Sequence, residues 1–433
     1  MYLLAVVLVL SVGLYSYILA ILSLWERKSG SGKSDNLLFA ILIPALNEQQ
    51  VIGNTITSLL KLRGDFLVLV IDDASDDETI AAVTPFLEDS RVRLLKQPKE
   101  RARRGKGHAL NAGYDAILQQ GLIERYGSEN IIVTVFDSDA RVAPNFLQAV
   151  APYFDDPKVV GVQSAVRMYN AEQNLLTSWQ NLEFAVWGNV FGQAKNLLGS
   201  ATLGGNGQCV RLKALASVGD EPWEASSLTE DLDLSIQLIA RGGKLRFCPS
   251  ATVWQEAVPE LGKLVRQRSR WMQGHFVCWR HLPDLLRGPI PLHTRLDLLG
   301  FLLLPATILP IGLASLMSWA SFLLHFGEWG AWNRAWIILG VWYFLGFVAA
   351  QMAVMAVPLS RWYSLPRLIV YAHIFTFYSF VWFLAAVAAC QKVVLGRRAW
   401  AKTNRVIGSP KSTTEKPTNK SSLSPGKESV HAR

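Results

Sequence analysis

Cysteine is scarce in this chain, and its four copies, Cys209, Cys248, Cys278 and Cys390, lie far apart. No Cys-x-x-Cys pair and no histidine at zinc spacing accompanies them, which excludes a zinc module and a disulfide framework. Free buried thiols in a reducing compartment are expected instead. Charge is scarce as well. Charged residues make up 18% of the 433 and hydrophobic ones 50%, a balance too apolar for an ordinary soluble enzyme and one that points to membrane spans. Base exceeds acid, 43 Lys and Arg against 34 Asp and Glu, but no nucleic-acid-binding signature is interleaved with it, so no nucleic-acid partner is expected. Part of the surplus gathers beyond the last apolar run, where ten Lys or Arg face two Asp or Glu after residue 390, as positive-inside bias requires.

Residues 1–25 carry no charge at all. That length spans a bilayer, and the basic start and small-residue cleavage site of a secretory signal are missing. Glu26-Arg27-Lys28 and Lys33 follow, which puts the N-terminus outside and the next domain in the cytosol. Three further apolar runs cover about 298–326, 335–359 and 368–395, the first interrupted by Pro305 and Pro310, so a kink is expected there. Several of the 15 tryptophans sit near run ends, as interfacial anchors do. The count of crossings and the basic residues Lys392, Arg397, Arg398, Lys402 and Arg405 pull the C-terminus to opposite sides. After Gly408 the chain is rich in Ser, Thr, Pro and Lys and reads as a disordered basic tail, 408–433.

Between the apolar ends, residues 37–257 read as an α/β domain. Leu38–Pro44, Leu67–Ile71, Val92–Leu95 and Ile131–Phe136 are runs of β-branched, aliphatic and aromatic residues, and helical segments separate them. Strand and helix in alternation imply a mostly parallel sheet wound right-handedly, with its site at the strand C-terminal ends. Glu48, Asp73, Asp137 and Asp139 all fall at such ends. Asp137 and Asp139 are one residue apart, so in an extended chain both face the same space. Two converging carboxylates suit Mg²⁺ or Mn²⁺ with positions left for diphosphate oxygens; an acidic turn after a core strand has the same sequence.

Four other stretches carry chemistry. Arg101 to Gly113 runs from a basic, Gly-punctuated loop containing Lys106 into a helix, either an anion site or a solvated loop. Leu203-Gly204-Gly205-Asn206-Gly207-Gln208 marks a tight turn or a close approach to a ligand. Ser227-Leu228-Thr229-Glu230 has the pattern of a capping box, with Ser227 as N-cap; Asp231 then lies in the first helical turn, where a proton acceptor stays ionised more readily. Residues 258–290 are amphipathic and basic, suited to a membrane surface. Within them Gln267, Arg270 and Trp271 share one helical face, presenting an amide, a guanidinium and a flat ring; interfacial snorkelling is the plainer alternative.

Taken in order, Pro44 to Glu48, Asp72-Asp73, Asp137-Ser138-Asp139, Thr229-Glu230-Asp231 and Gln267-Arg268-Ser269-Arg270-Trp271 resemble the motifs of the membrane-bound family 2 glycosyltransferases. That group contains the cellulose, chitin and hyaluronan synthases and the bacterial poly-N-acetylglucosamine synthases. The resemblance covers about residues 38–290. It implies a GT-A fold between membrane helices, a catalytic domain on the cytosolic side of the cell membrane, and inverting transfer from a nucleotide-diphosphate sugar, a UDP-sugar in most of the group. By the same resemblance Glu48 and Asp73 hold the base and ribose, Asp137 sits beside the nucleotide and, with Asp139, at the Mg²⁺ or Mn²⁺, and Asp231 is the general base. Lys106 and Glu230 belong to the substrate site, Gln267 and Arg270 contact the diphosphate, and Trp271 lines the acceptor. The expected product is a growing β-linked polysaccharide. The chain is shorter than the large synthases, and 398–405 is only loosely similar to their gating loop, so a single addition to a membrane lipid is the alternative.

Overall fold

The computed structural model describes residues 2–25, 36–324 and 364–395; the expected apolar run 335–359 and the tail 408–433 lie outside them. The strands are β1 (Leu38–Ala45), β2 (Asp65–Asp72), β3 (Val92–Lys96), β4 (Ile131–Val135), β5 (Arg141–Val142), β6 (Val159–Met168), β7 (Gln208–Arg211) and β8 (Lys244–Gln255). They form one sheet in the order β3-β2-β1-β4-β7-β6-β8-β5. The pairs β1–β2, β1–β4, β2–β3 and β6–β8 are parallel, while β4–β7, β6–β7 and β5–β8 are antiparallel. The expected mostly parallel sheet is present.

Alternation along the strands divides the core. Ala40, Leu42, Leu69, Ile71 and Val133 face one hydrophobic cluster, and Phe39, Ile41, Ile43, Val68, Val70 and Ile132 face the other. A sheet buried on both faces needs near-continuous apolar strands, which is why these segments are readable without a period-2 pattern.

The helices that position the site are α1 (Tyr2–Leu22), α2 (Ile52–Leu59), α3 (Lys106–Leu118), α4 (Leu175–Val186), α5 (Glu230–Ala240), α6 (Leu261–Val277), α7 (Leu292–Leu324), α8 (Leu365–Tyr378) and α9 (Phe380–Val394). Ile52, Ile56 and Leu59 bury the apolar face of α2 in the second cluster, and Leu110 and Ile117 bury that of α3 in the first. Helix α7 runs through both Pro305 and Pro310; at these positions it lacks two backbone donors, yet it does not end there.

Two described helices, Leu292–Met317 and Ile369–Val393, are long and apolar enough to cross a membrane, and Val6–Leu22 is a shorter apolar helix. Helix α1 is tied to the rest by a polar staple. The Tyr15 hydroxyl donates to Asp297 Oδ1 at 2.6 Å, and Lys195 Nζ lies 2.5 Å from Asp297 Oδ2 with both side chains almost fully buried. Buried charges are tolerated only when paired in this way. All four cysteines are free, as expected, and Cys209, Cys248 and Cys278 are buried.

Candidate active site

The parallel strands β2, β1 and β4 end together, and their C-terminal ends carry Asp73 and Asp137 on either side of β1. Asp137 begins the site. Its backbone N–H donates to Asn206 Oδ1 at 3.2 Å, and its Oδ1 accepts Lys106 Nζ at 2.6 Å. Lys106 opens α3, behind Gly105 with φ +115°. It reaches a second acid, Glu230 Oε1, at 3.6 Å. Burial works against the ammonium, but Asp137, Glu230 and Asp231 outweigh it and hold Lys106 above the ordinary lysine range. Lys106 thus meets carboxylates of its own chain, while Arg101, Arg103 and Arg104 of the same stretch are exposed.

Asp231 follows Glu230 in the first turn of α5. Its Oδ1 accepts the Leu232 N–H at 2.8 Å, and the Ser235 hydroxyl donates to its carbonyl at 2.6 Å. Burial first, then the neighbouring Glu230, push its carboxyl up to about 7, with Lys106 and the Leu232 N–H acting the other way. Gly205, at φ +76°, lies over this pair: a Cβ there would stand 3.1 Å from Asp231 Oδ2 and 3.5 Å from Lys106 Nζ. Only glycine adopts that φ cheaply while leaving the space open. The loop is held from below. Gly204 N–H donates to Gln163 Oε1 at 2.7 Å, Gln163 Nε2 donates to the Asn206 carbonyl at 2.8 Å, and Asn206 Nδ2 donates to Gln255 Oε1 at 3.0 Å. The sequence marks this loop as a tight turn or a close approach to a ligand; the bridge from Asn206 to Asp137 joins residues 69 apart and has no local signal.

The expected capping box does not form. Helix α5 starts at Glu230 behind Thr229, without a side-chain cap, and Ser227 Oγ accepts only the Thr229 N–H at 3.3 Å. Glu230 turns to Lys106 instead, because a buried ammonium is a stronger partner for a carboxylate than a backbone N–H.

Asp73 is buried, and its Oδ1 accepts Gln97 Nε2 at 3.1 Å and the Arg103 N–H at 2.9 Å. Burial raises its pKa, and the Arg103 N–H and His108 oppose the rise. Glu48 is buried beside α2, with its N–H donating to Thr79 Oγ1 at 2.7 Å. Asp139 Oδ2 accepts the Glu256 N–H at 3.1 Å just beyond β8.

The Gln267-to-Trp271 segment lies in α6, which crosses the start of α5 closely. A Cβ on Gly274 would stand 2.3 Å from Thr229 Oγ1, so this glycine permits the crossing. Gln267, Arg270 and Trp271 lie seven, four and three residues before it, on that side of the helix. Gln267 Oε1 accepts Arg268 Nη1 at 3.0 Å, and Arg270 Nε is buried without a hydrogen-bond partner among the described residues. Trp271 packs edge-on against Phe184, with ring centroids 6.2 Å apart, and lies 6.3 Å from Trp382. Lys106, Asp137, Glu230 and Asp231 are therefore in direct contact or adjacent, while Trp271 is bedded among aromatics of α4 and α9. Arg268, not singled out from the sequence, is the most buried charge of the segment, and its partner is Glu183.

The donor set can be tested for a cation. Among the described residues no group of three or more His, Cys, Asp or Glu could hold a metal ion. Asp137 and Asp139 supply two carboxylates at one strand end, a number that suits Mg²⁺ or Mn²⁺ when substrate phosphates and water complete the octahedron. Of the four carboxylate oxygens, Asp137 Oδ1 accepts Lys106 Nζ and Asp139 Oδ2 accepts the Glu256 N–H.

The fold has a close counterpart in a mannosyltransferase from Pyrobaculum calidifontis solved with GDP-Man and Mn²⁺: TM-score 0.64, 17% identity, 92% of this chain and 99% of that one. The chain shares the GT-A fold. Among curated proteins, β-monoglucosyldiacylglycerol synthase of Trichormus variabilis is 32% identical over 283 residues, covering 63% of this chain and 57% of the relative. Poly-β-1,6-N-acetyl-D-glucosamine synthase of Staphylococcus aureus is 27% identical over 238 residues, covering 54% and 53%. The matches span little more than half the length of these relatives. The family model described as glycosyltransferase like family 2 matches residues 36–274, the whole sheet together with α3, α5 and nearly all of α6. Since that match takes in more than half of the 433 residues, the chain belongs to glycosyltransferase family 2.

Proposed function

We propose that the chain transfers a sugar from a nucleotide-diphosphate sugar to an acceptor at a membrane surface, in one displacement with inversion. The observation that carries this reading is the run of contacts Asp137–Lys106–Glu230 with Asp231 adjoining. It sets a carboxylate of raised pKa beside an open glycine loop and one lysine among several acids. A sugar hydroxyl needs such a base within reach as it attacks. With Asp231 as the single base and the acceptor hydroxyl as the attacking group, transfer is direct and the anomeric centre inverts. Glu48 and Asp73 serve the base and ribose, Gln267 and Arg270 the diphosphate, and Trp271 the acceptor wall. Asp137 and Asp139 would hold Mg²⁺ or Mn²⁺, which when bound neutralises charge on the departing diphosphate. Lys106 holds Asp137 in place and offsets the negative charge around Asp231.

A lipid acceptor taking one sugar is favoured, because the 32% identical relative is a β-monoglucosyldiacylglycerol synthase. Extension of a polysaccharide is the second reading, favoured by the likeness to poly-β-1,6-N-acetyl-D-glucosamine synthase over 238 residues. Membranes containing the protein, given labelled UDP-glucose, UDP-N-acetylglucosamine or GDP-mannose, separate the two. A single organic-soluble product is expected; a ladder or long polymer overturns the lipid reading. No labelled product from any donor overturns both.

A further inference from the structure

We propose that Glu183 and Arg268 are positioning residues: a buried lock that sets Gln267 and Trp271 and ties them to the C-terminal helix pair α8–α9. The proposal rests on the glycosyl-transfer reading above and concerns residues to which that reading gives no part. Glu183 lies on α4, 85 residues before Arg268 on α6, and their side chains are 3% and 1% exposed. Among the described residues, the Glu183 carboxylate is bonded from α6 and from the C-terminal pair. Oε2 accepts Arg268 Nη2 at 2.7 Å and the Tyr378 hydroxyl at 2.8 Å, and Oε1 accepts Trp382 Nε1 at 2.8 Å. Tyr378 ends α8 and Trp382 lies in the first turn of α9, on either side of the break at Ser379. One carboxylate therefore gathers the α6 guanidinium and both ends of the helix joint.

Arg268 carries the constraint onward. Its guanidinium lies 4.0 Å from the Trp271 ring centroid, 5.3 Å from that of Trp382 and 5.8 Å from that of Phe184. Its Nη1 donates to Gln267 Oε1 at 3.0 Å. The same cation thus fixes the amide and the indole at the two ends of the motif. A planar guanidinium does both at once because it forks hydrogen bonds in its plane and stacks on rings across its faces. A second tie, Lys392 Nζ to Ser269 Oγ at 3.4 Å, joins α9 to α6 one residue beyond Arg268.

Packing alone does not call for a charge here. Apolar residues of similar volume fill such a site at equal or better stability. The ion pair does what apolar residues cannot: it specifies the angle of Trp271 and supplies the donor to Gln267 Oε1. A displacement of α8–α9 would therefore be felt through Trp271 at the acceptor wall and through Gln267 at the diphosphate, while the base and ribose end, with Asp73 held by Gln97 and Arg103, is fixed separately.

The full chain in detergent or membranes tests this, with the donor and acceptor found active in the panel above. The double variant Glu183→Leu/Arg268→Met removes both charges and keeps the volume. It is expected to weaken UDP binding by about threefold at most, through Gln267, while its acceptor KM rises by at least about tenfold, through Trp271, the scale of a small misplacement of a contact group. Arg268→Lys keeps the charge and loses the fork and the stacking, and is expected to raise the acceptor KM by a smaller factor. Should the double variant fail to fold, Arg268→Lys decides alone. Wild-type acceptor KM in a folded variant overturns the lock and leaves a packing role; an equal loss of UDP binding and acceptor use overturns it as well. A wild-type protein that transfers no sugar from any donor overturns the proposed function instead, and the two failures are distinguishable.

Discussion

Two clusters of charge, one half-buried in the cleft and one fully buried beneath α6, are built on opposite principles. In the cleft, one lysine, Lys106, lies among three acids, Asp137, Glu230 and Asp231. Beneath α6, one arginine meets one glutamate whose two oxygens are both occupied by donors. The second cluster pairs one charge with one charge, and only the Arg268 Nε is left without a hydrogen-bond partner among the described residues. The first carries surplus negative charge, an open glycine loop and a carboxylate pushed up to about 7. An uncompensated charge in a preorganised site is a standing cost that a bound cation or a transferred proton relieves. Charge balance, more than burial, distinguishes the site of chemistry from its support.

Chelation strikes the unbalanced cluster hardest. EDTA is expected to reduce transfer to background, and Mg²⁺ or Mn²⁺ to restore it, read as nucleoside diphosphate released per minute. Full turnover in chelator removes Asp137 and Asp139 from the cation role. Next in size is Asp231→Asn, which keeps the shape and removes the proton acceptor. A fall in kcat of about 10²–10⁴-fold is expected, the range for losing a general base, with UDP binding retained; a wild-type rate in that variant takes Asp231 out of the mechanism.

The balanced cluster responds through stability. Arg268→Met alone leaves Glu183 buried and charged, and a loss of about 3–5 kcal/mol is expected. Adding Glu183→Leu is expected to return most of it, because both charges then leave together. Denaturant midpoints in detergent check this, and a single and a double variant of equal stability would show that the pair is not coupled.

The two clusters also differ in how far the sequence revealed them. Asp73, Asp137 and Asp139 were legible because each ends a strand whose apolar run is local, and sheet topology then gathers strand ends without further information. Asp231 stands out by its place in a helical first turn, but that place implies a carboxyl that ionises easily, whereas burial and Glu230 push it up to about 7. Glu183 was not, because its partner is 85 residues away and nothing in the sequence around it sets it apart. A signal did exist for Arg268. Leu264, Arg268 and Met272 recur at helical spacing and all three are buried, so Arg268 occupies the apolar stripe of its helix, where a charge needs a partner. Reading the segment by its basic content grouped Arg268 with the exposed Arg266 and hid it. Glu230 shows the opposite error: a local rule assigned it to a cap, and the distant Lys106 drew it away.

The smallest expected effect tests the electrostatics of the cleft directly. The carboxyl of Asp231 titrates near 7, above its ordinary value of 3.8, so the folded protein binds that proton more tightly than the unfolded chain does. Its contribution to stability is therefore full at low pH and declines as pH rises through about 7, while the ionised base needed for transfer accumulates over the same interval. kcat/KM is expected to climb with pH and level off above about 7. Lys106 opposes the rise in Asp231, so Lys106→Met is expected to move the inflection upward by about one pH unit, a typical displacement for losing an adjacent opposite charge. In Arg268→Lys, whose charge belongs to the other cluster, the inflection is expected to stay in place. A shift in both variants, or in neither, would mean that the cleft does not set the protonation of its own base.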